Sequence, residues 1–594
     1  MGTSYNKINV CAKEGLNLVK NNLRELTKES LQNIILDLST SLTKQQLQRL
    51  EKLIEQYTIN KPTDEKKSRV VRMSQELVDE KMAQLKIWMS QIDAGELYLD
   101  TEEYEDYSEN YWHRNWVIEY YDNQGVGDKI LYAVQLAKDC VDDCRYQEAQ
   151  FIYEWLWQME VNAQNEYIDE TDPVDLETLV ENKIVKIDIK QLALLTLYTD
   201  YQVLDVSKRA KGIYLYFFYH AFQHLHIEDM FYVGRENLED TEQFWTDWIV
   251  LLKTKNGDME ARLLQEAVLQ KEGIEGLVKI ANEISDIHPS LYLTAMEMYD
   301  KNHDYEQIEK IGIQAMEKVS KKLKIRGKIA LQGAYASSFQ MHIKNMMRFC
   351  WECFYCDTTV RNYLRLFGTD EMAIQYGMQA KQVLSSRIRA KQSEFGETKE
   401  LLQNFVSDFG YHELCFYTGD FEVAKNASRN PQGSLGWSSC FIRHGIQLFL
   451  LYLYEKKLPS KAAAQIAQSI GFDDEIDKLL YFENALVEES RNNKTSLFWT
   501  YFQRWKQYFP MDVENRKKYL VWAEKIVCNR ADAIVSGQHR GQYRDVAVLL
   551  AMTAEIKQDM GIENAMYEMF TEYKKKFPKH SSFQSEMKHY FVYK

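Results

Sequence analysis

The sequence contains few of the residues that interrupt helices. It has 7 prolines and 25 glycines in 594 residues, well below the average usage of about 5% and 7%. Because proline and glycine mark turns and break helices, their scarcity favours long helical segments. Collagen-like repeats and low-complexity disorder are excluded, since 45% of the residues are hydrophobic and 27% are charged, as in a protein that forms a core.

A disulfide-like arrangement of cysteines and long hydrophobic runs are both missing. The 9 cysteines lack the spacing of a disulfide framework, so we expect reduced, buried thiols and a cytoplasmic protein. The longest apolar runs, at 212–222 and 445–454, are shorter than the roughly 20 residues that a membrane span needs. We expect both runs to form buried helices, and we expect no membrane partner.

An excess of positive charge is absent as well. The chain has 73 basic and 88 acidic side chains and a net charge of −15. This balance disfavours a protein that binds nucleic acid over its whole surface, because phosphate binding requires a positive field. A local basic patch remains possible.

Apolar residues recur with helical spacing along almost the whole chain. Residues 128–142 are typical, since their apolar side chains form one stripe. Only residues 184–190, IVKIDIK, alternate with a period of two, which predicts a short strand or hairpin there. We therefore predict an all-α fold in which helix exceeds about 60% of the residues, roughly twice the usual share.

Four short segments share a pattern that suggests internal repeats. Each follows a helical segment and carries a small or apolar residue at its end; the segments are 145–149, 304–308, 420–424 and 561–565. The pattern resembles the helix-turn-helix unit of tetratricopeptide (TPR) proteins, in which small residues let two helices approach closely. The spacing is not a multiple of the ~34-residue TPR repeat. The resemblance therefore implies an irregular, TPR-like helical-repeat solenoid.

The C-terminal part carries a second resemblance. Residues 522–527, 530–535 and 540–550 resemble the helical region of bacterial SWIM zinc-finger proteins. The zinc signature of that family, Cys-x-Cys followed by Cys-x-His, is missing, since no Cys-x-Cys occurs in the chain. The resemblance implies a helical scaffold without the finger, so the binding proposed for that finger is not expected here.

The predicted organisation has four parts. These are an N-terminal helical segment at 1–60 and helical-repeat regions at 70–165, 179–427 and 437–594.

Acidic and aromatic side chains are concentrated between residues 100 and 116. The possible partner-binding residues in this segment are Tyr104, Tyr107, Tyr111 and Trp112. Aromatic rings combined with carboxylates can dock a basic peptide or another cationic partner. The alternative is a helix whose acidic face is solvated and whose aromatic residues lie in the core.

Six basic residues without an acid among them lie between residues 318 and 328. The possible nucleic-acid-binding residues are Lys321, Lys322, Lys324, Arg326 and Lys328. Such a run can bind a phosphate backbone. The alternative is a solvated helix face beside an acidic neighbour.

Two further clusters have residue types that bind metals. His220 and His224 have the i, i+4 spacing of zinc ligands, but alanine follows the first histidine where a zincin requires glutamate. Cys350, Cys353 and Cys356 would fan over one broad helix face, which favours core packing over a convergent metal site. The sequence leaves open whether either cluster binds metal, and we predict no cofactor.

These features predict a non-enzymatic, cytoplasmic helical-repeat scaffold or adaptor that binds a protein or peptide partner. The chain contains no dinucleotide fingerprint, P-loop or nucleophile elbow. A nucleic-acid-associated helical subunit that uses the basic run is the alternative, and a cryptic metal-dependent enzyme is a third possibility.

Overall fold

The protein is built almost entirely from helices. A computed structural model describes residues 73–106, 115–164, 173–390, 405–428, 441–472 and 479–591. Helix accounts for 72% of the structure, and the described residues form 26 α-helices, which confirms the predicted all-α class. Within these ranges, no helix is long and apolar enough to cross a membrane. The chain divides into two compact units between Trp248 and Ile249, inside the predicted region 179–427.

The first unit combines helices with a small sheet. Its helices are α1 (Gln75–Asp93), α2 (Val126–Asp142), α3 (Tyr146–Gln158), α4 (Leu176–Glu181), α5 (Ile189–Val203), α6 (Val206–Tyr216) and α7 (His220–Gln223), and α8 (Thr241–Leu252) contains the boundary. Its strands are β1 (Tyr98–Asp106), β2 (Asn115–Tyr121) and β3 (Asn162–Gln164). Strand β1 lies in the middle of the sheet, antiparallel to β2 and parallel to β3.

The second unit contains the remaining described helices and one pair of short parallel strands. Its helices are α9 (Asp258–Glu283, kinked at Gly273), α10 (Ser290–Lys301), α11 (Tyr305–Lys318), α12 (Lys324–Phe339), α13 (Ile343–Cys356), α14 (Val360–Arg365), α15 (Asp370–Gln375), α16 (Ala380–Ser385), α17 (Asp408–Tyr417), α18 (Phe421–Ala427), α19 (Ile442–Leu453), α20 (Lys461–Ile470), α21 (Tyr481–Asn493), α22 (Leu497–Lys506), α23 (Val513–Ser536), α24 (Tyr543–Asp559), α25 (Ala565–Lys576) and α26 (Ser581–Tyr590). The strands are β4 (Ile388–Ala390) and β5 (Phe405–Ser407).

Successive helices are reversed by the same kind of turn at several places. After the first helix of each pair comes a residue in the left-handed conformation: Cys144, His303, Met341, Gly419 or Gly561, with φ values of 59°, 57°, 59°, 83° and 92°. In the first two turns, the next amide donates a hydrogen bond to the carbonyl five residues earlier, from Arg145 to Cys140 at 2.8 Å and from Asp304 to Tyr299 at 3.0 Å. This bond defines a Schellman motif, which ends one helix and redirects the chain. All four segments with the repeated pattern lie at such turns.

Small residues let the paired helices approach each other. Ala149 in α3 and Ala424 in α18 are both fully buried. Between α11, α12 and α13, the ring of Phe349 lies against Gly312 and Gly333, and a Cβ on Gly333 would lie 2.8 Å from the Phe349 ring. The helices can therefore pack at these distances only while the side chains stay small.

The predicted strand or hairpin at 184–190 is wrong. Lys183 has a left-handed φ of 63°, and the following residues connect α4 to α5. The Asp188 carboxylate accepts a hydrogen bond from the Gln191 amide at 3.1 Å, which caps α5 at its first residue, Ile189. The alternating pattern arises because a connecting segment buries Val185 before the helix begins.

The two apolar runs behave differently. Residues 445–454 lie mainly in α19 and are buried, as predicted. Residues 212–222 do not form one buried helix, because α6 ends at Tyr216 and α7 begins at His220, and Leu215 and Phe218 are 56% and 64% exposed. The break lets Phe222 pack on the Trp157 ring, at a centroid distance of 4.6 Å.

The packing beside the turns predicts a specific cost of enlarging Ala424. We expect Ala424→Leu to lower the free energy of unfolding by about 1–3 kcal/mol, because the added atoms would overpack the interface of α18 with its neighbours. Val423→Leu is the matched control, since Val423 is 41% exposed. Chemical denaturation of both variants measures the difference. Equal midpoints for the two variants would show that this interface is not tight.

Asp200 is a buried carboxylic acid in α5 of the first unit. Its side chain is 5% exposed, and Gln150 donates a hydrogen bond to its Oδ1 at 3.0 Å. Burial raises the pKa of Asp200 from 3.8 to about 6, against the opposing effect of hydrogen bonds from Gln150 and Tyr216. The folded state therefore binds the Asp200 proton more tightly than the unfolded state does.

This pKa predicts a pH dependence of stability. Because the folded state binds the Asp200 proton more tightly than the unfolded state, the stabilisation is full below about pH 4 and is lost as the pH rises to about 6. We expect the wild type to lose roughly 2–3 kcal/mol relative to Asp200→Asn across this interval. Denaturation curves of both proteins from pH 4 to pH 7 measure the effect. Parallel pH profiles would contradict the assignment.

Candidate functional site

The acidic and aromatic segment forms a β-hairpin rather than the helix considered as one alternative. Every second side chain of a strand points to the same face, so the antiparallel pairing of β1 with β2 brings one set from each strand together. This hairpin face contains Asp100, Glu102 and Tyr104 from β1 and Glu119 and Tyr121 from β2. Tyr104 is 44% exposed and Tyr121 is 40% exposed. Tyr107, Tyr111 and Trp112 lie outside the described residues.

Carboxylates dominate the hairpin face. Glu102 lies directly opposite Glu119 in the strand register. Tyr104 donates a hydrogen bond to Glu119 at 3.1 Å, and Tyr121 donates to the same carboxylate at 2.7 Å. The hydrogen bond to Glu119, together with partial burial and the charge of Glu102, raises the pKa of Tyr121 to about 12. The face therefore presents negative charge framed by two phenol rings.

The basic run is divided between a turn and the start of α12. Arg326 is 2% exposed; its Nε donates to Glu352 Oε2 at 2.9 Å and its Nη1 donates to the Val319 carbonyl. Lys321 lies 3.8 Å from the same glutamate. Arg326 is therefore a buried structural residue rather than part of an exposed cationic surface.

Two other lysines of the run lie near a second acid. Burial raises the pKa of Asp357, at the end of α13, and the charges of Lys324 and Lys328 partly oppose that shift. Arg326 and Lys321 are therefore paired with Glu352, whereas Lys322 and Lys328 are exposed.

The histidines and cysteines occupy different environments. The rings of His220 and His224 lie 5.7 Å apart and both residues are exposed, but α7 is one turn long and ends before His224. Cys350, Cys353 and Cys356 are buried in α13. Within the part of the chain that the structure describes, no group of three or more potential ligands is arranged to hold a metal ion.

The burial of the three thiols determines their protonation. Burial raises the pKa of Cys350 and of Cys356 to about 12 and raises that of Cys353 well above its ordinary value. The Cys353 thiol donates to the Gly327 carbonyl at 3.4 Å, linking α13 to α12. This environment therefore favours the protonated, unreactive form of the thiols.

A polar cleft in the second unit was not indicated by any sequence motif. It has a volume of about 660 Å³ and lies along α22, and we call it the α22 cleft. Its walls come from the loop before α15, the loop after α19 and the end of α21. The lining residues on and just after α22 are Trp499, Thr500, Gln503, Arg504, Gln507 and Tyr508.

A buried ion pair joins three of the helices beside the α22 cleft. Arg365 in α14 donates from Nε to Glu483 in α21 at 2.9 Å, with exposed fractions of 3% and 1%. Tyr501 in α22 donates to the same carboxylate oxygen at 2.8 Å. Burial alone would lower the pKa of Arg365, but Glu483 outweighs it and the pKa is raised. The ion pair therefore fixes the helices that carry the lining residues.

Further hydrogen bonds fix the walls. Arg504 donates from Nη1 to the Gly368 carbonyl at 2.7 Å, across 136 residues of sequence. Tyr508 donates to Asp370 at 2.7 Å, and the Trp499 indole donates to the Lys457 carbonyl at 3.2 Å. The only local signal in the sequence is the four-residue spacing of Gln503 and Gln507. The other walls are distant in sequence, and so the cleft could not be assembled from motifs.

No protein-family model, curated protein or solved structure matches the chain. The geometry of the described residues is therefore the basis for the proposed function.

The buried pair of Arg326 and Glu352 predicts different roles for two residues of the basic run. We expect Arg326→Gln to destabilise the protein by about 3–5 kcal/mol, because it leaves Glu352 buried without its partner. The exposed Lys322 is the matched control, and Lys322→Gln should change stability by less than about 0.5 kcal/mol. Chemical denaturation of both variants measures the difference. A similar small effect for both would argue against a structural role for Arg326.

Proposed function

We propose that the chain is a non-enzymatic, TPR-like helical-repeat scaffold that binds a protein or peptide partner rich in cationic side chains. The single observation that carries the proposal is the hairpin face, where Glu102 and Glu119 lie opposite each other between two exposed tyrosine rings. The proposed contact site is formed by Asp100, Glu102, Tyr104, Glu119 and Tyr121.

The electrostatics of the hairpin face support a cationic partner. Like charges directly opposite each other destabilise a strand pair, and the hydroxyl groups of Tyr104 and Tyr121 supply neutral donors only. A guanidinium or ammonium group would neutralise the carboxylates and could also lie over a phenol ring, where cation–π attraction adds to binding. The face therefore offers two favourable interactions to the same cation.

The helical architecture supports the scaffold part of the proposal. The repeated left-handed turns and the buried small residues Ala149 and Ala424 are features of stacked helix pairs, whose neighbours bury each other's apolar faces. Buried arginines such as Arg326 and Arg365 are paired with glutamates, so their charges contribute to helix packing. The described cysteines are free thiols, which supports the proposed cytoplasmic setting.

The alternative, a nucleic-acid-associated subunit, receives less support. A phosphate-binding surface requires several cations that project into solvent together. Arg326 is instead buried against Glu352, and Lys324 and Lys328 lie near Asp357. No specific observation favours this alternative over the scaffold.

Binding of a labelled octa-arginine peptide tests the proposal. We expect the full chain to bind it with an affinity that falls about tenfold, or 1.4 kcal/mol, in the double variant Glu102→Gln with Glu119→Gln. Tyr104→Ala should weaken binding as well, because it removes one ring. Fluorescence anisotropy at two salt concentrations measures the affinities, and the difference should shrink at high salt.

The control separates the hairpin face from the overall negative charge. Glu228→Gln with Glu242→Gln removes the same charge from two exposed positions of the same unit and should leave binding nearly unchanged. An equal loss in both double variants would reject the hairpin face. Submicromolar binding of an unstructured RNA, abolished by reversing Lys321, Lys322 and Lys324 to Glu, would favour the nucleic-acid alternative.

A further inference from the structure

Strand β2 forms one edge of the small sheet in the first unit. The sheet order is β2–β1–β3, so β2 pairs with β1 on one side only. Among the described elements, no other helix or strand runs along β2. In an antiparallel pair, only every second residue bonds to the partner strand. The residues between them direct their main-chain N–H and C=O groups away from β1, to the side where a further strand could pair.

The sequence of β2 suits this edge to pairing. Proteins commonly protect an edge strand with lysine, proline or a β-bulge. The strand sequence, NWVIEYY, contains neither lysine nor proline, and its residues pair with β1 in unbroken register without a bulge. Most of these residues are aromatic or β-branched, which are the types that favour strands. β2 is therefore a regular template for one more strand.

The charge of the hairpin face indicates what an added strand must carry. Alternate residues of that strand would continue the hairpin face, with about 4.5–5.5 Å between the Cβ atoms of directly opposed residues. Glu119 is the exposed carboxylate of β2 on this face, and Glu102 lies opposite it on β1. The two oxygens of Glu119 each accept one hydrogen bond from a tyrosine and retain further lone pairs. Arginine or lysine opposite Glu119 would therefore complete the pairing.

The other face of β2 requires a different type of side chain. Ile118 lies on that face, opposite Glu103 of β1, and is 39% exposed. Residues of the added strand that lie between the cations would cover Ile118, and β-branched apolar side chains pack well in such cross-strand pairs. The two faces together therefore fit a strand in which cationic and apolar residues alternate.

A second copy of the chain fits this edge poorly. The β2 strand of a second copy would bring another Glu119 and no cation, so the acidic charge at the edge would increase. The net charge of −15 also opposes association of two copies. Charge complementarity therefore points to a cationic segment of a different protein.

We propose that β2 binds an extended segment of a partner protein as an additional strand, with arginine or lysine at every second position and apolar residues between them. The inference rests on the function proposed for the hairpin face and specifies the conformation and the sequence pattern of its partner. Main-chain hydrogen bonds to the edge of β2 contribute affinity, and the carboxylates of the hairpin face select the side chains.

Two labelled peptides of identical composition test the sequence pattern. One alternates arginine with valine over nine residues, and the other carries the same arginines in one block followed by the valines. We expect the alternating peptide to bind the full chain about tenfold more tightly. Only this peptide, when extended, places all its arginines on the hairpin face and all its valines on the other face. Fluorescence anisotropy at one salt concentration measures both affinities.

Methylation of alternate main-chain nitrogens tests the strand pairing itself. In an added strand, the amides of every second residue point to β2 and the others point to solvent. Methylating the nitrogens of the valines or those of the internal arginines should therefore lower the affinity about tenfold in one case and leave it nearly unchanged in the other. The two methylated peptides have the same side chains and the same charge, so each is the control for the other.

Two measurements on the full chain locate the bound peptide. Hydrogen–deuterium exchange of residues 115–121 should slow when the alternating peptide binds, because the outward amides of β2 are then hydrogen-bonded. Ile118→Lys should lower the affinity of this peptide about tenfold, since lysine at an edge opposes strand addition. Ile87→Lys is the matched control, because it adds the same charge at a 55% exposed position of α1, and it should leave the affinity nearly unchanged.

Three results would overturn the proposal. They are equal affinity of the alternating and grouped peptides, equal effects of the two methylation patterns, and a dimer of the chain that forms without peptide and is lost in Ile118→Lys. If octa-arginine binding still depends on Glu102 and Glu119 in such a case, the cationic partner stands and only the strand pairing fails. If neither octa-arginine nor the alternating peptide binds, the proposed function fails as well.

Discussion

The reversal of the chain between adjacent helices is the constraint on which the rest of the structure depends. A helix can pack along its neighbour only if the connection is short and turns in one defined direction. The Schellman turn satisfies both conditions. At one such turn, His303 is left-handed and the Asp304 amide donates a hydrogen bond to the carbonyl five residues earlier. Non-glycine residues adopt this conformation at some cost. That cost is offset by the apolar surface that the two helices bury, for example around Ala149.

Charged residues contribute to the same packing where helices from distant parts of the chain meet. Burial of Glu309 alone would raise its pKa, but hydrogen bonds from Ser337, Asn345 and His342 outweigh the burial and lower it. Arg365 and Glu483 hold α14 beside α21 in a comparable way. Such ionisable groups contribute to packing, whereas the hairpin face and the α22 cleft carry polar side chains at the surface. One presents carboxylates and phenol rings, and the other presents carboxamides.

Features set by local sequence could be predicted, whereas features set by distant contacts could not. The helical class follows from the scarcity of proline and glycine and from regular apolar spacing. The turn at Met341 has no such local sign, since no glycine or asparagine occupies the left-handed position. The hairpin was missed because acidic residues disfavour strands, and its pairing depends on β2. Arg326 could not be recognised as buried because Glu352 lies 26 residues away, and the α22 cleft depends on contacts across more than a hundred residues.

Hydrogen–deuterium exchange at the turn amides tests the central claim most directly. The decisive sites are the amides that donate across the left-handed turns, those of Arg145, Asp304, His342, Asp420 and Ile562. If these turns hold the helix pairs together, their amides should exchange as slowly as those inside the adjoining helices, because exchange requires the pair to open. Rapid exchange at these amides beside protected helices would show that the helices are stable without the turns and would contradict the account.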